Sequence, residues 1–153
     1  MRRIFICSLL AGLISVAMAG ETPTGRVVKT LPLFLDLKGH DAVSPSLFDR
    51  DAYQLYLRKH PGLRSAVRFD VLWKASDAGS GPLKLQVELR GVTKDGLPRQ
   101  LTLEQPVTPG IFRRWTSLTL GGAEYKDFGD PLAWRVTLWS ENRLLGEEKS
   151  FLW

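Results

Sequence analysis

Two histidines, His40 and His60, stand in the 153 residues, and they are the side chains best suited to proton transfer near neutral pH. Both sit beside turn signals and lie 20 positions apart. Ser–His–Asp chemistry would need one of them as its base, and the G-x-S-x-G elbow that presents a serine nucleophile is missing. No spacing of histidines and carboxylates suggests a metal site. The "DRD" triplet, Asp49 to Asp51, is too short for a calcium loop and suits the start of a helix. Among 16 acidic residues nothing singles out a pair for glycoside hydrolysis. The glycine-rich stretch at 76–82 reads as a turn between strands rather than a phosphate cradle. The expectation is a protein without catalytic residues, cofactor or metal, and so not an enzyme.

The aromatic residues carry more information. Of the five tryptophans, Trp73 and Trp134 fall on the inward register of their segments and read as core. Trp115 and Trp139 fall on the outward register, beside Arg113 and Arg135. Open tryptophan rings next to arginine suit a protein partner or a sugar face. Trp115, Trp139, Arg113 and Arg135 are therefore the candidate partner or glycan surface. The competing expectation is that a helix or the first strand covers these rings.

The elements that must position these residues follow an N-terminal leader. Arg2 and Arg3 precede an apolar run from Ile4 to Val16, and Ala17-Met18-Ala19 supplies small residues for cleavage. This is the pattern of a secretory signal peptide over 1–19, with a mature start at Gly20 and a secreted or periplasmic location. Cys7, the single cysteine, would leave with the leader, so disulfides are not expected in the mature chain. Cleavage also lowers lysine plus arginine from 21 to 19 against 16 acids, a net charge of +3. These charges are interspersed, which argues against nucleic acid as a partner, and no membrane span is expected after the leader.

A short polar arm over 20–25 leads to a single domain over 26–153. "TLPLFLDLKG" alternates, with Leu31, Leu33, Leu35 and Leu37 expected on one buried face, and Pro32 places the strand at a sheet edge. Ser44 or Ser46 caps a helix that ends before Pro61, with Phe48, Ala52, Leu55 and Tyr56 as its apolar stripe. The remaining segments read as strands. "AVRFDVLWK" points Val67, Phe69, Val71 and Trp73 inward, and "LKLQVELR" points Leu83, Leu85, Val87 and Leu89 inward. Asp95-Gly96 makes a hairpin, after which "RQLTLEQ", "RRWTSLTL", "AWRVTLW" and "LLGEEKSFLW" continue. The pattern predicts a mainly β protein, a seven-stranded antiparallel two-sheet sandwich with one helix between its first two strands. That helix is expected to cross from one sheet to the other and to close an end of the sandwich with Phe48, Leu55 and Tyr56.

Residues 66–153 resemble a fibronectin type III or immunoglobulin-like β-sandwich. "VRFDVLWKASDAGSGPLKLQVELR" is similar to the second and third strands of a fibronectin type III domain, with Trp73 as its buried tryptophan. "WTSLTL" is similar to the fifth strand, and "AWRVTLW" to the sixth, with Trp134 where tyrosine is usual. The whole chain also resembles uncharacterised small secreted bacterial proteins that share the "RDAYQ" and "SFLW" segments, a likeness that implies no activity. The function expected is a non-catalytic binding or envelope-assembly module acting through a sheet face or edge on an envelope protein or glycan. Two alternatives accompany it. One is a carbohydrate-binding module using the outward tryptophans. The other is a small outer-membrane β-barrel, against which stand the odd strand count and the central helix.

Overall fold

The computed structural model describes residues 24–76, 82–93 and 95–153. The expected leader, its cleavage site and the glycine-rich turn after Ser76 lie outside the described residues. Seven strands form two antiparallel sheets, as the alternation predicts. The first sheet has the order β1 (Thr24–Asp36), β2 (Arg64–Ser76), β5 (Arg114–Gly121). The second has the order β4 (Pro98–Val107), β3 (Leu83–Val92), β6 (Ala133–Ser140), β7 (Arg143–Lys149). Helix α1 (Leu47–Lys59) lies between β1 and β2, and a short helix α2 (Gly122–Phe128) between β5 and β6. The expected crossing of α1 from one sheet to the other is corrected, because β1 and β2 are antiparallel neighbours in one sheet. This is a sandwich of immunoglobulin-like type in the general sense, not one closed barrel sheet. Thr24 and Gly25, read from the sequence as the end of a polar arm, are the first residues of β1.

The core between the sheets is the one the alternation foretold. Val67, Phe69, Val71 and Trp73 of β2 pack with Leu83, Leu85, Val87 and Leu89 of β3, Leu118 and Leu120 of β5, and Val136 and Leu138 of β6. Trp134 packs edge-on against Phe69, with ring centroids 6.3 Å apart. The Trp73 indole N–H donates to the Thr116 hydroxyl at 2.9 Å, so its one polar atom is satisfied inside the sandwich. Gly96, at φ +78°, turns the chain between β3 and β4.

β1 departs from the expectation in one respect. Leu31, Leu33 and Leu35 do share a face, but they pair opposite Asp70, Arg68 and Ala66, which face away from the core. Opposed residues in an antiparallel pair lie on the same side of the sheet. The core-facing register of β1 is instead Val27, Thr30, Pro32 and Phe34, of which Val27 and Phe34 pack on the core cluster. Leu33 and Leu35 are nevertheless buried on the outer side, while Leu37 lies beyond the strand and is exposed. Alternation fixed the partition of the strand but could not decide which half meets the other sheet. As Pro32 suggested, β1 is an edge strand.

β1 also closes one side of the sandwich against β7. A Cβ on Gly146 would stand 2.7 Å from the Arg26 Cα, so only glycine admits this approach of the two backbones.

Trp73 is 2% exposed. Trp73→Ala is therefore expected to cost about 3–5 kcal/mol in urea melts, as removal of a large buried aromatic does. A loss under about 1 kcal/mol would contradict this core register.

Candidate functional site

Helix α1 is specified by its ends. Ser46 is the N-cap and accepts from the Asp49 N–H, while the Ser44 hydroxyl donates to the Asp49 carboxylate at 2.5 Å. At the other end His60 is the C-cap, immediately before Pro61. Between these ends the helix is docked by its polar side. Gln54 and Leu57 are buried and Arg50 and Tyr53 half-buried, an i, i+3, i+4, i+7 set.

The Gln54 amide treats β1 as a neighbouring strand would. Its Oε1 accepts from the Phe34 N–H at 2.8 Å, and its Nε2 donates to the Phe34 carbonyl at 2.9 Å and to the Asp41 carbonyl at 2.9 Å. Two backbone groups on the free edge of β1 are thus satisfied by one side chain.

The expected apolar stripe points the other way. Phe48 is 80% exposed and Leu55 52%, and Ala52, Tyr56 and Leu47 are also exposed. The expectation that Phe48, Leu55 and Tyr56 cover the end of the sandwich is therefore corrected. The reason is physical: β1 offers α1 unpaired backbone groups, which glutamine satisfies and an aliphatic side chain cannot.

Arg64, the first residue of β2, fastens the same assembly from below. Its side chain is 5% exposed. Its guanidinium donates to the Leu57 carbonyl at 2.6 Å and to the Arg58 carbonyl, two acceptors in the last turn of α1. It also pairs with the Asp130 carboxylate and lies over the Phe34 ring, 4.2 Å from its centroid. Asp130 in turn accepts from the Tyr125 hydroxyl of α2 at 2.7 Å. Burial, reinforced by that hydrogen bond, pushes the Tyr125 phenol well above its usual value.

Where β1 leads into α1 the surface holds a cleft of about 610 Å³, lined by Asp36, His40, Tyr53, Leu37, Val43 and Leu63 among others. Asp36 Oδ1 accepts from the Lys38 and His40 N–H groups at 2.8 and 2.9 Å, and Oδ2 accepts from the Tyr53 hydroxyl at 2.8 Å. The His40 backbone N–H, with help from Tyr53 and Lys38, holds the Asp36 carboxyl below the usual carboxylate range. The same contact raises the Tyr53 phenol. The His40 ring stands 3.8 Å from Asp36, beyond the reach expected of a general-base pair. Asp36 thus acts as a clasp for its own turn and for α1. Among the described residues no three His, Cys, Asp or Glu side chains come together to hold a metal ion.

The structure separates the sequence-derived surface residues. Trp115 is 53% exposed and lies on β5, opposite Leu72 on the outer face of the first sheet, with exposed Arg113 just before it. Trp139 and Arg135 lie on β6, paired with Lys84 and Glu88 on the outer face of the second sheet. Trp139 is half-buried and donates its indole N–H to Thr137 at 2.8 Å. Arg135 is engaged by Glu88, the main cause of its raised pKa, and lies over the Trp153 ring. Trp115 with Arg113 and Trp139 with Arg135 are thus two places rather than one platform.

Sequence reasoning missed Gln54, Arg64 and Asp130 as organising residues. Arg64 and Asp130 lie 66 positions apart, so no local pattern joins them. For α2 a signal existed, because Tyr125 and Phe128 are apolar at helical spacing and both are buried.

A comparison with protein families, curated proteins and solved structures gives no match to this chain. Among the described residues no helix is long and apolar enough to cross a membrane.

The Asp36 clasp has a pH signature. A carboxyl whose native pKa is depressed stabilises the fold fully above its unfolded value of about 4, and that contribution is lost as pH falls through the native value. Wild type should therefore exceed Asp36→Asn in melting temperature at pH 7, and the gap should close below about pH 4. An equal gap at pH 7 and at acid pH would contradict the ionised clasp.

Proposed function

We propose that the protein is a secreted, non-catalytic binding or envelope-assembly module of fibronectin type III-like build. The strand orders 1-2-5 and 4-3-6-7 support that finer reading of the sandwich. The observation that carries the function is the inverted helix. α1 docks through Gln54, Leu57, Tyr53 and Arg64, and turns Leu47, Phe48, Leu55 and Tyr56 to solvent. Leu37, Val43 and Leu63 of the neighbouring cleft are exposed too. Open apolar side chains along a helix and in the cleft beside it are the mark of a surface that meets a partner. An envelope protein is the partner class that fits such a surface.

The carbohydrate reading draws on Trp115 as an open ring, and its two tryptophans would have to work separately. A glycan titration followed by tryptophan emission separates it from protein binding.

The test is site-directed photocrosslinking in the native envelope. A photoreactive residue at Phe48 or Leu55 should yield a discrete adduct. Phe48→Asp, with the photoreactive residue at Leu55, should abolish the adduct while shifting stability by less than about 1 kcal/mol, as exposed substitutions do. Survival of the adduct in that variant, or a discrete adduct at outer-sheet positions alone, would contradict a partner surface on α1.

A further inference from the structure

The two sheets differ by one strand, three against four, and the difference leaves a definite place. On β3 every inward residue from Leu83 to Leu89 is covered, none above 1% exposed. On β4 the inward positions opposite Val87, Leu89 and Leu83 are Leu103, Leu101 and Val107, and all three are only half-buried. Gln105, on the same inward register opposite Leu85, is exposed. The inner face of β4 is thus incompletely roofed, on the side where β5 ends the smaller sheet.

The four sheet edges are not alike. β1 is occupied by Gln54 at Phe34 and approaches β7 through Gly146, which shields both strands on that side. β4 carries Pro98 and Pro106, with charged Arg99 and Glu104 between them, the devices that blunt an edge. β5 carries neither. It pairs with β2 over all eight of its residues without a register shift, and from Trp115 to Leu120 it holds no charge and no proline. Among the described residues nothing pairs with its other edge. Ile111, Phe112 and Arg113 just ahead of it, and Arg114 and Trp115 at its start, are all exposed.

We infer that the free edge of β5 accepts one extended segment of a protein partner, as a fourth strand of the smaller sheet. Such a strand finds a row of N–H and C=O groups along β5, and its alternate side chains enter the space above Leu101, Leu103 and Val107. Those side chains are apolar. Antiparallel addition sets the C-terminal end of the segment beside Arg113 and Arg114, so that end is acidic. This site rests on the reading of the protein as a binding module but uses a surface separate from α1.

The probe is an acetylated peptide of alternating valine and threonine that ends in two glutamates, added to the mature protein. Amide hydrogen exchange should slow in β5 and not in β4 or β7, and Trp115 emission should shift. The same peptide with its glutamates moved to the N-terminal end should bind at least tenfold more weakly. Arg113→Glu with Arg114→Glu should lower affinity for the first peptide at least tenfold, and its circular dichroism should match wild type because both residues are exposed. Protection confined to another edge, equal binding of both peptides, or no binding would overturn the site. So would a peptide-free dimer whose β5 amides are already protected, since a second copy would then be the occupant. The crosslinking adduct at α1 is independent of these outcomes, and its presence or absence judges the module reading by itself.

Discussion

The guanidinium of Arg64 is the contact on which the arrangement of this domain turns. A charge held at 5% exposure needs partners in several directions, and each partner here belongs to a different part of the chain. The Leu57 and Arg58 carbonyls fix the end of α1, Asp130 fixes the segment after α2, and the Phe34 ring fixes β1. One side chain therefore sets where both helices sit against the sheets. Gln54 completes the task from the helix side by taking the Phe34 N–H and C=O. With Tyr53 held by Asp36, the docking of α1 is mainly a hydrogen-bonded one.

That mode of docking has a consequence for the surface. A helix that packs by its aliphatic residues hides them; one that packs by glutamine, tyrosine and the carbonyls of its last turn leaves them outside. Phe48 and Leu55 are outside for this reason. The smaller sheet shows a related economy, since three strands leave Leu101 and Leu103 of β4 half-covered. Both features offer apolar surface on a frame whose own core is complete, with Phe69, Val71, Leu85, Val87 and Val136 inaccessible to solvent. A sandwich with two open apolar places is the physical basis of the proposed binding role.

Much of the fold was legible in the sequence. Period-two alternation in "LKLQVELR" and "VRFDVLW" identified the residues that fill the core, because both strands are central and each has one wholly buried face. Pro32 correctly marked an edge, and the positive φ of Gly96 a turn. Alternation cannot tell inside from outside when both faces are covered, and in β1 Leu33 and Leu35 are buried on the side away from the core. Helical periodicity likewise located the stripe of α1 but not its direction. Gln54 decides that through a contact 20 positions away on β1, and Arg64, anchored 66 positions away on Asp130, through the last carbonyls of the helix. The sequence-derived surface pairing of Trp115 with Trp139 required the sheet assignment of β5 and β6, a long-range property.

Hydrogen bonds from Gln54, beside the buried Leu57, hold α1 on β1. Amide hydrogen exchange at Phe34 tests it most directly, comparing wild type with Gln54→Ala. Exchange at Phe34 should be at least tenfold faster in the variant, the equivalent of about 1.4 kcal/mol, with the Val71 and Val87 amides of the central strands unchanged. Equal exchange at Phe34 in the two proteins would contradict it.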